Sequence, residues 1–246
     1  MTAMPLSDQV ILITGAGGGL GGSAALALAK NGAIVILLDN KIKKIEAVYD
    51  RIKSANSNLE PILYPFDLAG ANENEYQELA DNIQAKYGRL DGLLHSAVEF
   101  TGLTPIITET TKNWAHTLNV NLNAAFLLTR TVLPLLQKSH SASMIFTSDS
   151  FARHPAAYTG AYGVSKIALE GFAKILAEEL ESFKKIRVNI FIPGPIDSPL
   201  RNQSHPAEDK TKLPAIRSLD EVYVYLFGQQ STGVTGQTID ARTFHL

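Results

Sequence analysis

The sequence contains no cysteine among its 246 residues. Disulfide bonds, thiolate metal sites and a cysteine nucleophile are therefore excluded. Net charge is also scarce: 22 Lys and Arg stand against 24 Asp and Glu, a formal charge of −2. Proteins built to grip nucleic acid usually carry a basic excess, so no nucleic-acid partner is expected. Long apolar runs are missing as well. The first, Val10 to Ile13, is too short for a signal-peptide core or a membrane span. No later run reaches the ~18 apolar residues of a spanning helix. The expectation is a cytoplasmic protein with no membrane partner. The chain shows no internal repeat, heptad run or low-complexity tract. Its histidines (His95, His116, His140, His154, His205 and His245) lack metal-ligand spacing, so no metal site is expected.

Glycine, at 18 residues, is ordinary in amount but uneven in place. Six glycines fall between Gly15 and Gly22. Around them, strand-like and helix-like segments alternate. Strands are expected at Gln9–Thr14, Ala33–Leu38, Pro61–Phe66, Leu90–Ala97, Ser143–Ser148, Ile186–Ile192 and Gln237–Asp240. Helices are expected at Leu20–Asn31, Lys41–Ala55, Glu73–Tyr87, Thr108–Gln137 (with Pro134 kinking or ending it), Gly160–Lys184 and Leu219–Phe227. Alternation of this kind means an α/β fold, a mostly parallel seven-stranded sheet with helices on both faces. No composition break divides the chain, which predicts one doubly wound domain over residues 1–246. The polar, proline-rich segment Ser198–Ala215 is the candidate substrate loop or lid. Trp114 and Phe126 are expected in the core or at a subunit contact.

The run Thr14-Gly15-Ala16-Gly17-Gly18-Gly19-Leu20-Gly21 joins the first strand to the first helix. Glycines there let backbone approach a pyrophosphate, and the helix N-terminus offers free N–H groups and a positive dipole end. Asp39 ends the second strand, where a carboxylate can accept hydrogen bonds from both adenosine ribose hydroxyls and repel a 2′-phosphate. No Lys or Arg lies in the glycine loop, so NAD is favoured over NADP. Asp67 ends the third strand, either near the adenine or as a cap for the next helix.

Tyr162 and Lys166 stand at i and i+4 and share a helical face. A neighbouring cation lowers a phenol's pKa and suits it to proton exchange with an alcohol or carbonyl oxygen. The same spacing recurs at Tyr49 and Lys53, read as surface. Tyr162 follows the fifth strand, whose carboxyl end borders the ligand crevice of an open α/β sheet.

These motifs, with Asn121 in Asn119-Val120-Asn121-Leu122, Asp67-Leu68 and Pro193-Gly194, run from Val10 to about Ala241. Together they resemble the short-chain dehydrogenase/reductase family, one-domain Rossmann oxidoreductases that use NAD(P). The resemblance implies hydride transfer between NAD(H) and a carbonyl or secondary alcohol. It implies Tyr162 as acid/base, Lys166 as pKa modulator and ribose ligand, and Asn121 as anchor of a relay water. It lays Gly15, Gly19, Leu20, Gly21, Asp67, Leu68, Ala97, Pro193, Gly194, Ile196 and Ser198 along the cofactor. It also implies a homodimer or homotetramer formed through the two long helices.

Two departures stand out. His95-Ser96-Ala97-Val98 replaces the family's Asn-Asn-Ala-Gly, so a different loop path is expected. The family's catalytic Ser lies thirteen positions before the Tyr, and here that position is Asp149, between Ser148 and Ser150. An ionised Asp cannot donate a hydrogen bond and raises the pKa of a nearby Tyr. Three arrangements stay open: a protonated Asp149 as donor, a register shift that turns Ser148 or Ser150 inward, or weakened reductase chemistry. The last would leave a dinucleotide-binding sensor or partner with little turnover.

Overall fold

The computed structural model describes residues 4–245. Seven strands form one parallel sheet in the order β3-β2-β1-β4-β5-β6-β7. They are β1 (Val10–Thr14), β2 (Ile34–Asp39), β3 (Ile62–Pro65), β4 (Gly92–His95), β5 (Ala142–Thr147), β6 (Ile186–Ile192) and β7 (Thr238–Asp240). The helices are α1 (Gly19–Lys30), α2 (Ile42–Ala55), α3 (Glu73–Tyr87), α4 (Thr111–Leu118), α5 (Ala124–Leu136), α6 (Gly160–Leu180), α7 (Pro199–Ser204) and α8 (Asp220–Phe227).

Strands β1, β5 and β6 are buried along their whole length because helices cover both sheet faces. Side-chain alternation divides the core in two. Val10 and Leu12 pack with Leu79 of α3, Leu128 of α5 and Leu169 of α6. Ile11 and Ile13 pack with Leu28 of α1, Ile45 of α2 and Phe227 of α8. The chain runs outward from β1 to β3, then returns to β4 on the other side of β1. The strand order reverses at that point, which opens a crevice beyond the carboxyl ends of β1 and β4.

Four expectations change. The stretch expected as one helix over Thr108–Gln137 is a 3₁₀ turn (Ile106–Thr108), α4, a π-helical turn (Asn119–Asn123) and α5. Pro134 lies inside the last turn of α5, which ends two residues later at Leu136. The helix from Gly160 stops at Leu180, and Lys184 takes a left-handed φ of 53° that no helix continues through. The segment Ser198–Ala215 is not all loop: it holds α7 and a 3₁₀ turn, and Asp197 bridges to Ala215. Tyr49, expected at the surface, is half-buried on α2 and packs against the core, while Phe126, expected in the core or at a subunit contact, is 45% exposed. Among the described residues no helix is long and apolar enough to cross a membrane.

Candidate active site

A cavity of about 570 Å³ opens at the crevice, lined by the loops after β1, β4, β5 and β6 and by α7. Its first wall is the glycine turn. Gly15 has a φ of +64°, and a Cβ there would stand 2.7 Å from the Ala97 Cα. A Cβ at Gly21 would stand 2.3 Å from the Gly15 carbonyl oxygen. No side chain fits either position, so the turn stays pressed against the loop after β4. The N-cap of α1 is Gly18, with no side-chain cap and no acid in the first turn. The N-terminal N–H groups are thus left to an anion, and this cradle suits a phosphate group.

Asp39 sits at the end of β2, beside that turn. Its Oδ2 accepts from Gly17 N–H at 3.1 Å and its Oδ1 from Lys41 N–H at 3.0 Å. Lys41 and Lys44 line the cavity, cations on α2 and its approach that a reading of the glycine loop alone did not count. Asp67 caps no helix. Its Oδ1 accepts from Ala69 N–H at 3.1 Å, closing a turn, while Asn72 caps α3.

The altered loop after β4 is held by new partners. Thr14 Oγ1 accepts from Ser96 and Ala97 N–H at 3.0 and 3.1 Å, joining β1 to the start of that loop. His95 turns away from the cavity, stacks on Phe146 at 4.6 Å and pairs with Thr129 at 2.9 Å. Burial holds its pKa down at about 3, so it stays neutral. Asn121 brackets the same loop: its Oδ1 accepts from Glu99 N–H at 2.7 Å, and its Nδ2 donates to Glu99 O and Ser165 Oγ, both at 3.0 Å. The π turn widens the helix by one residue and aims this buried side chain at the loop. Asn121, Leu68 and Ala97 line a second, small pocket with Thr14 and His95 rather than the main cavity.

The segment after β5 answers the question of register. Ser148 N–H still pairs with Phe191 O at 2.8 Å, so the strand alternation continues through it. Ser148 Oγ therefore points away, donating to the buried carboxylate of Glu170 at 2.7 Å. Asp149 points the other way, and Tyr162 Oη donates to its Oδ2 at 2.9 Å. Ser150 Oγ donates to Asp149 Oδ1 at 3.2 Å. The shift that would turn Ser148 or Ser150 toward Tyr162 is not adopted.

Tyr162 and Lys166 lie one turn apart on α6, both buried and both lining the cavity. Burial, then the charge and hydrogen bond of Asp149, pushes the Tyr162 phenol well above its ordinary range. This opposes the expected lowering by Lys166. The lysine is itself lowered to about 8 by burial, against the pull of Asp149 and Glu170. Its Nζ donates to Thr147 O at 2.8 Å and stands 5.8 Å from the Tyr162 ring centroid. A tyrosine in this setting is a proton donor rather than a ready anion.

The α7 segment covers the glycine turn: a Cβ at Gly19 would stand 2.8 Å from the Pro199 Cδ. Ser198 caps α7 by accepting from Arg201 N–H at 3.2 Å. Cavity residues Glu99, Phe100, Phe151, Arg201 and Arg242 carry no motif and went unmarked in the sequence. Only for Arg201 was there a signal, its place in the proline-rich segment.

The short chain dehydrogenase family pattern matches residues 9–209. The chain is 38% identical to the uncharacterized oxidoreductase YciK of Escherichia coli K12, over 96% of this chain and 93% of that one. A short chain dehydrogenase structure from Pseudomonas syringae matches with 41% identity and a TM-score of 0.93, over 97% of this chain and 96% of that one. One from Shigella flexneri, complexed with NADP, matches with 36% identity and a TM-score of 0.93, over 98% and 100%. With that sheet order, that cavity and these relatives, the chain belongs to the short-chain dehydrogenase family of oxidoreductases.

Proposed function

We propose that this oxidoreductase moves a hydride between a nicotinamide dinucleotide and a carbon bearing oxygen or nitrogen, the carbonyl or secondary alcohol being the substrate the family resemblance implies. The observation that carries the reading is the meeting of the glycine turn, Tyr162 and Lys166 in one cavity. Gly15, Gly19, Leu20 and Gly21 would hold the pyrophosphate, Asp39 the adenosine ribose, and Asp67 and Leu68 the adenine. Ala97, Tyr162, Lys166, Pro193, Gly194, Ile196 and Ser198 would hold the nicotinamide half. When bound, the dinucleotide supplies or takes up the hydride. Tyr162 keeps its proton on the Asp149 side of the cavity, Lys166 supplies positive charge beneath it, and Asn121 fixes the loop that forms the facing wall. Fluorescence titration with NADH, followed by turnover with a carbonyl panel, tests the reading; absence of NADH and NADPH binding rejects it.

Asp39 supports NAD(H) as the cofactor, because its carboxylate would stand against a 2′-phosphate. Lys41, Lys44 and the NADP bound to the Shigella flexneri relative weigh the other way. NADH is expected to bind at least about tenfold more tightly than NADPH, ~1.4 kcal/mol. Asp39→Ala is expected to close that gap. Equal affinities in the native protein reject the preference.

The ammonium of Lys166 gives the reaction a pH limit. With its pKa at about 8, Lys166 is charged below that pH and neutral above it. Reduction that needs this charge is expected to fall about tenfold per pH unit above about 8. A plateau in kcat/KM that continues to the usual lysine range would remove Lys166 from this role.

A second reading, dinucleotide binding with little turnover, is favoured by one contact. The Tyr162 proton is committed to Asp149, which competes with any substrate oxygen for it. NADH binding without oxidation across a panel of both carbonyls and imines would select this reading.

A further inference from the structure

Asp149 makes three contacts and accepts in each: from Tyr162 Oη at 2.9 Å, Phe151 N–H at 3.1 Å and Ser150 Oγ at 3.2 Å. That is the pattern of a carboxylate rather than of a donor. A carbonyl oxygen gathers negative charge as its carbon takes a hydride, and it needs hydrogen-bond donors. Around Tyr162 those donors are committed. Ser148 Oγ is turned to Glu170, and the hydroxyls of Ser150 and Tyr162 both point at Asp149. A fixed carboxylate in that place repels a developing oxyanion and attracts a cation.

The rest of the wall matches. The rings of Phe100 and Phe151 stand edge-on to the Tyr162 ring at 5.1 and 6.4 Å, and all three line the cavity. Glu99, at the rim and 3.7 Å from His116, adds a second carboxylate. Among the cavity's cations, Arg201 pairs with Glu208 at 2.6 and 2.7 Å and Arg242 with Asp240 at 2.9 Å; Lys166 donates to Thr147 O beneath Tyr162, and Lys41 and Lys44 lie beside the glycine turn. Aromatic rings beside a carboxylate are the surroundings that hold organic cations.

We propose that the group reduced at this site is a protonated imine, taken in preference to a neutral ketone. The inference rests on the oxidoreductase reading above and names its substrate class. The iminium carbon gains a hydride from the reduced nicotinamide, and the C=N π pair moves onto nitrogen. The nitrogen keeps its proton, and a neutral amine and the oxidised nicotinamide result. No proton moves in that step, so a site without a free hydroxyl donor serves it. In the reverse direction Asp149 stabilises the iminium as it forms.

The test uses the full chain with bound NADH, or NADPH if only that binds. Calorimetry measures N,N-dimethylpyrrolidinium, a cation that cannot be reduced, against neutral cyclopentanol. Turnover compares 2-methyl-1-pyrroline with 2-methylcyclopentanone. The cation is expected to bind about tenfold or more tightly than the alcohol, and kcat/KM is expected to favour the imine by a similar factor. Asp149→Asn is expected to weaken the cation about tenfold and leave the alcohol within about twofold. Asp149→Glu, which keeps the charge, is expected to retain cation binding, and NADH titration shows that both variants are folded. The proposal is overturned by absent cation binding, by unchanged cation affinity in Asp149→Asn, or by preference for the ketone. If no dinucleotide binds, the oxidoreductase reading itself fails; if it binds and the ketone is preferred, only the imine inference fails.

Discussion

Replacing Tyr162 with phenylalanine is expected to lower turnover about 10³-fold, the scale of a lost general acid. The substitution removes one oxygen from a buried ring and leaves the packing of Phe100 and Phe151 around it intact. Asp149 keeps the Phe151 N–H and the Ser150 hydroxyl as partners, so the end of β5 keeps its shape. Dinucleotide affinity is expected to stay within about fivefold, the value of one net hydrogen bond of ~1 kcal/mol. Steady-state kinetics on a carbonyl substrate, paired with NADH titration, separates the two effects. A carbonyl-reducing rate that survives the change would remove Tyr162 from the chemistry. With an iminium substrate the loss is expected to be smaller, because no proton crosses in the hydride step.

The second large effect is a gain. Asp149→Ser is expected to raise ketone reduction about 10²-fold, the scale attached to one oxyanion donor gained or lost. Two changes act together. The serine hydroxyl can donate to the substrate oxygen, and the Tyr162 proton is released from a carboxylate 2.9 Å away. Removing that negative charge also takes away one of the causes that hold the phenol high, after burial. In reduction the phenol must carry its proton, so the alkaline limit set by Tyr162 is expected to move toward lower pH, with Lys166 still setting the fall above about 8. Unchanged ketone turnover in this variant would mean that Asp149 does not govern the site.

Much of this arrangement was legible residue by residue. The glycine crowd between Gly15 and Gly22 marked the turn, since no side chain fits where backbone meets backbone. The apolar runs marked the strands, and the i,i+4 spacing put Tyr162 and Lys166 on one side of α6. The π turn at Asn119–Asn123 was not legible. A hydrogen-bond shift of one residue leaves no mark in composition, and what stabilises it is a bracket from Asn121 to Glu99, 22 positions away. Tyr49 misled for a related reason: polarity reports a preference for burial, not which helix face meets the sheet. Glu99, Phe151 and Arg242 join the cavity only because three loops converge at one end of the sheet.

The sequence by itself determined the order of elements, the parallel sheet, the phosphate-sized turn and the family, because each depends on local sterics or on periodicity along a few residues. It left open which of Ser148, Asp149 and Ser150 would face the tyrosine. Which side faces Tyr162 was decided only by tertiary structure. Alternation sets relative directions, and the absolute one comes from pairing with β6 and from the buried Glu170 that holds Ser148. That choice puts a carboxylate, not a hydroxyl, against the tyrosine.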